Sequence, residues 1–544
     1  MIKKFKAMLI LLLLLPALLL QGCWIPTRPA APVFIEPELP EFVQPDIVPD
    51  APQLPGQFTI RYVTDATMNP IIALNRDNII IGSLLYESLF ILDANLTAKS
   101  LLCANWETED NVTFTFEIYS DIVMHDGSFL TADDVAYSLR QARDLRRSRH
   151  RGKLRNVTSI SSDGELTVTL TLENPNARFI RLLDIPIIKA GTVDERVPPG
   201  SGPFIFPFEG ARRLTRFTEY RHFNDLPINS FNLIESNDSE ITRLFDDGEL
   251  SLLWDDPAGA FDIRLNRALE PRFYNTTALQ FIGFNADSFV LRSSDVRRAI
   301  GCAIERQFIV DNIMNDPRPN QAIAAPVAIS PVFDMYDHQW EVRGDLLSEM
   351  GALIERAGLA DFDNDSFLEM PDGYGGFRKF TLDFIVNLEN THKIAAAHRI
   401  ADNLRQFGFD INVRELQWGE FMSALRDGKF DMYYGETLLS ADFDFSPLLL
   451  PGDDSIIFGN TGSSSFNPLI LNFLAASSQE EVSLAGEQLN LAITQQAPFI
   501  PILYKRYAIY TQMGAVVMSQ DTSPSQSGIF HNFQNWTIDL FMLN

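Results

Sequence analysis

The chain has 544 residues, 46% of them hydrophobic, with Lys+Arg 44 against Asp+Glu 71 and a formal net charge of −27. Such a length holds two or more domains and a large core, and the acidic balance argues against a partner whose phosphates need a cationic surface. Three cysteines, Cys23, Cys103 and Cys302, form no C-x-x-C pair, which argues against zinc ribbons and thioredoxin-like redox motifs.

Residues 1–22 read as a targeting segment. Lys3, Lys4 and Lys6 form a basic start, and Ala7 to Leu20 an apolar stretch shorter than the about 20 residues a membrane span needs. Leu20-Gln21-Gly22-Cys23 resembles a bacterial lipobox, which implies cleavage before Cys23 and acylation there. An ordinary secretory signal with an incidental Cys23 is the other reading. Two or more acyl chains give stable anchoring. Nine prolines follow between Trp24 and Gly56. Proline lacks the N–H and fixes φ, so residues 23–57 are expected to form an extended tether.

The folded body is expected to begin near Phe58. Val112, Phe114, Phe116 and Ile118 alternate with polar residues, as in a half-buried strand. Asp126-Gly127 is a turn dipeptide. Thr131 is a good N-cap, Asp134 completes a capping-box pattern, and Val135, Leu139 and Ala142 mark one apolar helix face. Leu166, Val168, Leu170 and Leu172 give a second alternating strand. Between helix and strand lies a basic run: Arg140, Arg143, Arg146, Arg147, Arg149, His150, Arg151, Lys153 and Arg155. It reads either as a solvated helix end favoured by the dipole or as a contact for anionic lipid or an acidic partner.

Further along, Gln280 to Asn285 is strand-like, and Val296, Ile300, Ala303 and Ile304 make a helix face that Ser294 or Asp295 can cap. Cys103 and Cys302 read as small buried hydrophobes, with a disulfide between them as the alternative. Asp361, Asp363, Asp365 and Glu369 stand at EF-hand-like spacing. Ser366 occupies the glycine position and Asp372 replaces the bidentate glutamate, so an acidic surface turn is expected. Ala395, Ala396, Ile400 and Leu404 predict another amphipathic helix, followed by a strand through Ile411 and Val413.

The stretch Gly127-Ser128-Phe129-Leu130-Thr131-Ala132-Asp133-Asp134-Val135-Ala136-Tyr137-Ser138-Leu139 closely resembles the signature of family 5 extracellular solute-binding proteins, the peptide, dipeptide and nickel receptors of ABC importers. Asn69-Pro70, Leu85 to Phe90, Trp106, Gly200 to Phe204, Asp247 to Leu250, Asp295 to Arg306 and Ala497 to Tyr504 extend the resemblance from about residue 58 to the end. It implies an α/β, two-lobe periplasmic-binding-protein-like clamshell of the large peptide-binding type, with mixed sheets in each lobe. Lobe 1 would comprise 58–285 with 500–544 returning to it, and lobe 2 would comprise 286–499. The implied function is a lipid-anchored, extracytoplasmic receptor, a monomer, that closes on oligopeptides or dipeptides and delivers them to ABC permease and ATPase subunits. A receptor for another solute (a sugar or a nickel chelate), a non-transport sensor lipoprotein and a secreted hydrolase are the alternatives.

No G-x-S-x-G, H-E-x-x-H or G-x-x-x-x-G-K-[ST] occurs, so no enzyme, cofactor or protein-built metal site is expected. His125 reads as a packed turn residue. A peptide receptor needs a carboxylate for the ligand ammonium, strand edges for its main chain and roomy pockets. In peptide-binding relatives the aspartate of an "AD" pair takes the ammonium, and the resemblance puts Asp442 there. Tyr86, Trp254, Asn387, Trp418 and Phe443 are the other candidates for the cleft.

Overall fold

The computed structural model describes residues 56–260, 263–316, 318–341, 346–518, 524–530 and 532–543. The targeting segment, Cys23 and nearly all of the proline-rich stretch lie outside the described residues. Among the described residues no helix is long and apolar enough to cross a membrane.

Local chemistry sets the first elements as expected. Thr131 Oγ1 accepts from the Asp134 N–H, and Asp134 Oδ2 accepts from the Thr131 N–H at 3.0 Å, a closed capping box opening the helix Ala132–Asp144. Its buried face holds Val135, Leu139 and Ala142. The strand Thr113–Ile118 buries Phe114, Phe116 and Ile118 and pairs with Thr167–Leu172 in an antiparallel sheet. Cys103–Glu107 and Val157–Ser162 flank this sheet. A second sheet orders Thr59–Tyr62, Ser230–Glu235, Arg213–Arg216 and Phe204–Ile205. Gly200 and Gly202 are needed because the chain there passes against backbone. A Cβ on Gly202 would stand 2.4 Å from the Leu85 carbonyl carbon.

The largest sheet has seven strands. Its path runs Leu252–Asp255, Phe499–Gln512, Leu269–Phe284, Met432–Leu438, Leu382–Asn387 and Ile411–Leu416, with Ala322–Ala324 added against Phe499–Gln512. Leu269–Phe284 and Phe499–Gln512 are long antiparallel partners, with register breaks between Asn275 and Leu279 and between Gln280 and Phe281. Tyr274 and Ile509 pack into a first core built mainly from residues 58–233 and 515–543. Ile282, Phe284, Ile500 and Ile502 pack with Val296, Ile300, Phe384 and Ile400, and Phe281, Phe499 and Tyr504 of the same strands pack with Phe333, Phe443 and Leu448; these two clusters together make the second core. The two cores therefore meet within these strands, inward of positions 285 and 499.

Three local expectations shift. Ser293 is the N-cap of Ser294–Cys302 and makes no side-chain cap bond, while Asp295 instead pairs with Arg356 at 3.0 Å. In the helix Thr391–Gln406 the buried alanines are Ala396, Ala397 and Ala401, and Ala395 is exposed. Cys103 is buried, Cys302 is half-buried, and both are free thiols.

Candidate functional site

A cleft of about 990 Å³ opens between the two cores. One wall is the loop after the Ala132–Asp144 helix, the basic run. The opposite wall is the chain from Thr437 to Ala441, leaving the strand Met432–Leu438, with Asp444, Pro447, Asp454 and Ile456. Gln526 and Ser527 close a third side.

The basic loop is fastened from far along the chain. The Arg149 N–H donates to Ile71 O at 3.2 Å. Arg149 Nε meets Pro70 O at 3.2 Å, and His150 Nε2 lies 3.1 Å from the same oxygen. Asn69, in turn, donates to Val193 O at 2.7 Å. His150 is buried, and burial together with Arg149 and Lys153 holds its imidazole well below the usual value, so it stays neutral.

Five cations and four carboxylates line the cleft. Arg143 pairs with Asp144 at 2.7 Å, Lys153 pairs with Asp184, and Arg155 reaches Asp444 at 2.9 Å. Arg149, Arg151 and Asp454 make no ion pair among the described residues. Arg149 keeps solvent access while sitting deep between protein walls. Lost solvation pulls its guanidinium down to about 10, opposed by Asp184 and reinforced by Arg76. Ser440 Oγ on the facing wall is buried without a hydrogen-bond partner.

Beside the cleft the two cores clasp one another. Asn176 Nδ2 donates to Asp442 Oδ2 at 2.8 Å. Arg178 donates to the carbonyls of Asp442, Ala476 and Phe473 at 3.3, 3.1 and 2.5 Å, with its guanidinium 4.4 Å from the Phe473 ring centre. Arg181 donates through Nη2 alone to both oxygens of Asp334 at 2.8 Å.

None of the six residues singled out from sequence is among those lining the cleft. Asp442 is buried behind Ala441 and Asp444 and is engaged by Asn176. Phe443, at φ +57°, turns into the second core against Phe333 and Tyr504. Tyr86 is enclosed in the first core, and burial raises its hydroxyl far above the usual range. Trp254 is half-buried, donating to Tyr274 Oη at 2.8 Å beneath the Arg76 guanidinium. Asn387 accepts from the Glu389 N–H at 3.0 Å. Trp418 is exposed and stacks on Phe421. His125 packs against Phe217 with Nε2 3.0 Å from Gly202 O, as expected of a turn residue. The basic run was visible in the sequence, but its place on the cleft wall was not, because Pro70 and Ile71 set it.

A buried ionic cluster stands where the two cores meet. Lys505 Nζ contacts Asp256 and lies 2.9 Å from Glu436 Oε1, and Lys393 reaches Glu436 Oε2 at 2.9 Å. Burial pushes the Glu436 carboxyl up, but the two lysines outweigh it and hold the group at about 2. Burial wins at Asp256, which is raised.

Residues 97–453 match the family described as bacterial extracellular solute-binding proteins, family 5 middle. Protein XP55 of Streptomyces lividans is 25% identical over 377 residues, 65% of this chain and 65% of that protein. The oligopeptide-binding protein AppA of Bacillus subtilis is 21% identical over 487 residues, 83% of this chain and 87% of its own. Its crystal structure in complex with a nonapeptide superposes with a TM-score of 0.61 at 18% identity, covering 89% of this chain and 100% of that one. The ABC transporter substrate-binding protein CtaP of Listeria monocytogenes superposes with a TM-score of 0.73 at 18% identity, covering 89% and 99%.

Proposed function

The chain belongs to the family 5 bacterial extracellular solute-binding proteins, non-enzymatic extracytoplasmic receptors of ABC importers, and we propose that its solute is a short peptide. One observation carries this reading. The cleft lining offers both signs of charge without an ion pair among the described residues, Arg149 and Arg151 on one wall and Asp454 on the other. A zwitterion is the solute that satisfies both. About 990 Å³ lies at the upper end of the range of about 300–1,000 Å³ common for small-ligand sites, which suits several residues rather than one amino acid. The similarity to AppA, solved with a nonapeptide, supports the same reading.

In this account the two cores are the moving lobes. The paired strands Leu269–Phe284 and Phe499–Gln512 are the connection about which they close, and ligand contacts on both walls shift the population toward the closed state. Acylation of Cys23 and the proline-rich tether hold the monomeric body near the permease.

Isothermal titration with peptides of two to eight residues tests the solute class. Binding to any length range supports it. No heat with any peptide, alongside binding of a sugar or a nickel–histidine chelate, overturns it. Release of the protein from the membrane fraction by Cys23→Ala tests the anchor.

A further inference from the structure

We infer that the basic wall of the cleft is an anion subsite: Arg149 and Arg151 hold a carboxylate or phosphate group of the ligand. Three observations converge on those two residues. Every other cation lining the cleft has a carboxylate partner within the protein, whereas these two have none among the described residues. A guanidinium is made for bidentate binding of a planar oxyanion, and Arg149 has committed only its Nε, to Pro70 O at 3.2 Å. That bond and the Arg149 N–H bond to Ile71 O fix the side chain's base, so it arrives already oriented.

The surroundings favour an anion as well. Arg76 adds a like charge beside Arg149, which Asp184 offsets. In a chain of net charge −27, five cations against four carboxylates in one lining is a local excess of positive charge, and walls of low dielectric strengthen it. On the facing wall the buried, partnerless Ser440 Oγ is a neutral donor in the same cavity. Asp442, by contrast, accepts from Asn176 at Oδ2 and from the Asp444 N–H at Oδ1, and lies outside the lining. The ligand's acidic end is therefore assigned to the arginine wall.

This deepens the peptide reading only in naming the source of the anion, a C-terminal carboxylate, and the experiment separates the two ideas. Binding is measured by calorimetry with a mixture of free-carboxylate tripeptides, the same mixture amidated at the C terminus, inorganic phosphate and citrate. The proteins are wild type, Arg149→Gln/Arg151→Gln, Arg149→Lys, and Arg146→Gln as a charge control outside the cleft lining. Thermal melts verify that each variant is folded. Arg151→Gln alone removes no hydrogen bond to the protein, so it reports on the subsite even where the double variant is destabilised.

The expected result is at least about tenfold weaker binding of amidated than of free peptides by wild type. That preference should vanish in the double variant, return in part with Arg149→Lys and stay unchanged in Arg146→Gln. If no peptide binds while phosphate or citrate does, and the double variant loses it, the peptide reading fails and the anion subsite stands. Three results overturn the subsite: equal binding of free and amidated peptides, wild-type affinity in the double variant, or no binding of any anionic probe at millimolar concentration.

Discussion

Asn176 donates to Asp442 across 266 residues of sequence and 2.8 Å of space. The bond joins the first core to the second, and it occupies the carboxylate that the family resemblance assigns to a ligand ammonium. The other oxygen, Oδ1, accepts from the Asp444 N–H at 3.3 Å, so both carboxylate oxygens are engaged within the protein.

Asp442→Ala is therefore expected to weaken free-amino and N-acetylated peptides by the same factor, and to destabilise the fold by about 1.5–3 kcal/mol. Calorimetry on matched peptide pairs decides it. A loss confined to the free-amino member would return the residue to direct ligand contact.

Arg178→Ala leaves three buried carbonyls without their donor. A cost of about 2–4 kcal/mol is expected in urea denaturation. Small-angle scattering of the ligand-free variant should show a larger radius of gyration than wild type if the clasp holds the cores together. An unchanged radius removes that role.

Burial lowers His125 from its ordinary 6.5 to about 4 and His150 in the same direction. Below pH 6.5 the unfolded chain takes up protons that these folded imidazoles refuse, so stability falls as pH drops from about 6.5 toward 4. The melting temperature should decline across that window, and His125→Gln should flatten the slope. A slope identical to wild type in that variant counts against the assignment.

Lys505 is the shared cation of Asp256 and Glu436. Lys505→Met strands two half-buried carboxylates and should cost about 1.5–3 kcal/mol, with part recovered by adding Asp256→Asn. Thermal melts at neutral pH measure both. In wild type the Glu436 contribution is full above its ordinary value of 4.5 and is lost as pH falls toward 2.

Much of the fold was legible because its signals are local. The Thr131–Asp134 capping box, the Val135–Leu139–Ala142 face and the alternation of Phe114, Phe116 and Ile118 depend on spacing alone, and each appears as read. The cleft was not legible in that way. Arg149 becomes a wall residue because Pro70 lies 79 residues earlier, and no periodicity encodes that meeting. Phe443 looked like a cleft aromatic but has φ +57°, which turns it inward. Trp254, singled out as a cleft candidate, donates to Tyr274 Oη and lies beneath the Arg76 guanidinium. Residue chemistry named candidate groups; long-range packing chose which residues line the cleft.

The chain enters and leaves the second core through neighbouring strands of one ribbon, Leu269–Phe284 beside Phe499–Gln512. Two adjacent rails permit bending and twisting about a single line while resisting sliding along it. In the closure proposed above, bending about this ribbon is the expected motion, and one pair of spectroscopic labels at Gly152 and Asp454, both lining the cleft, reads it in time.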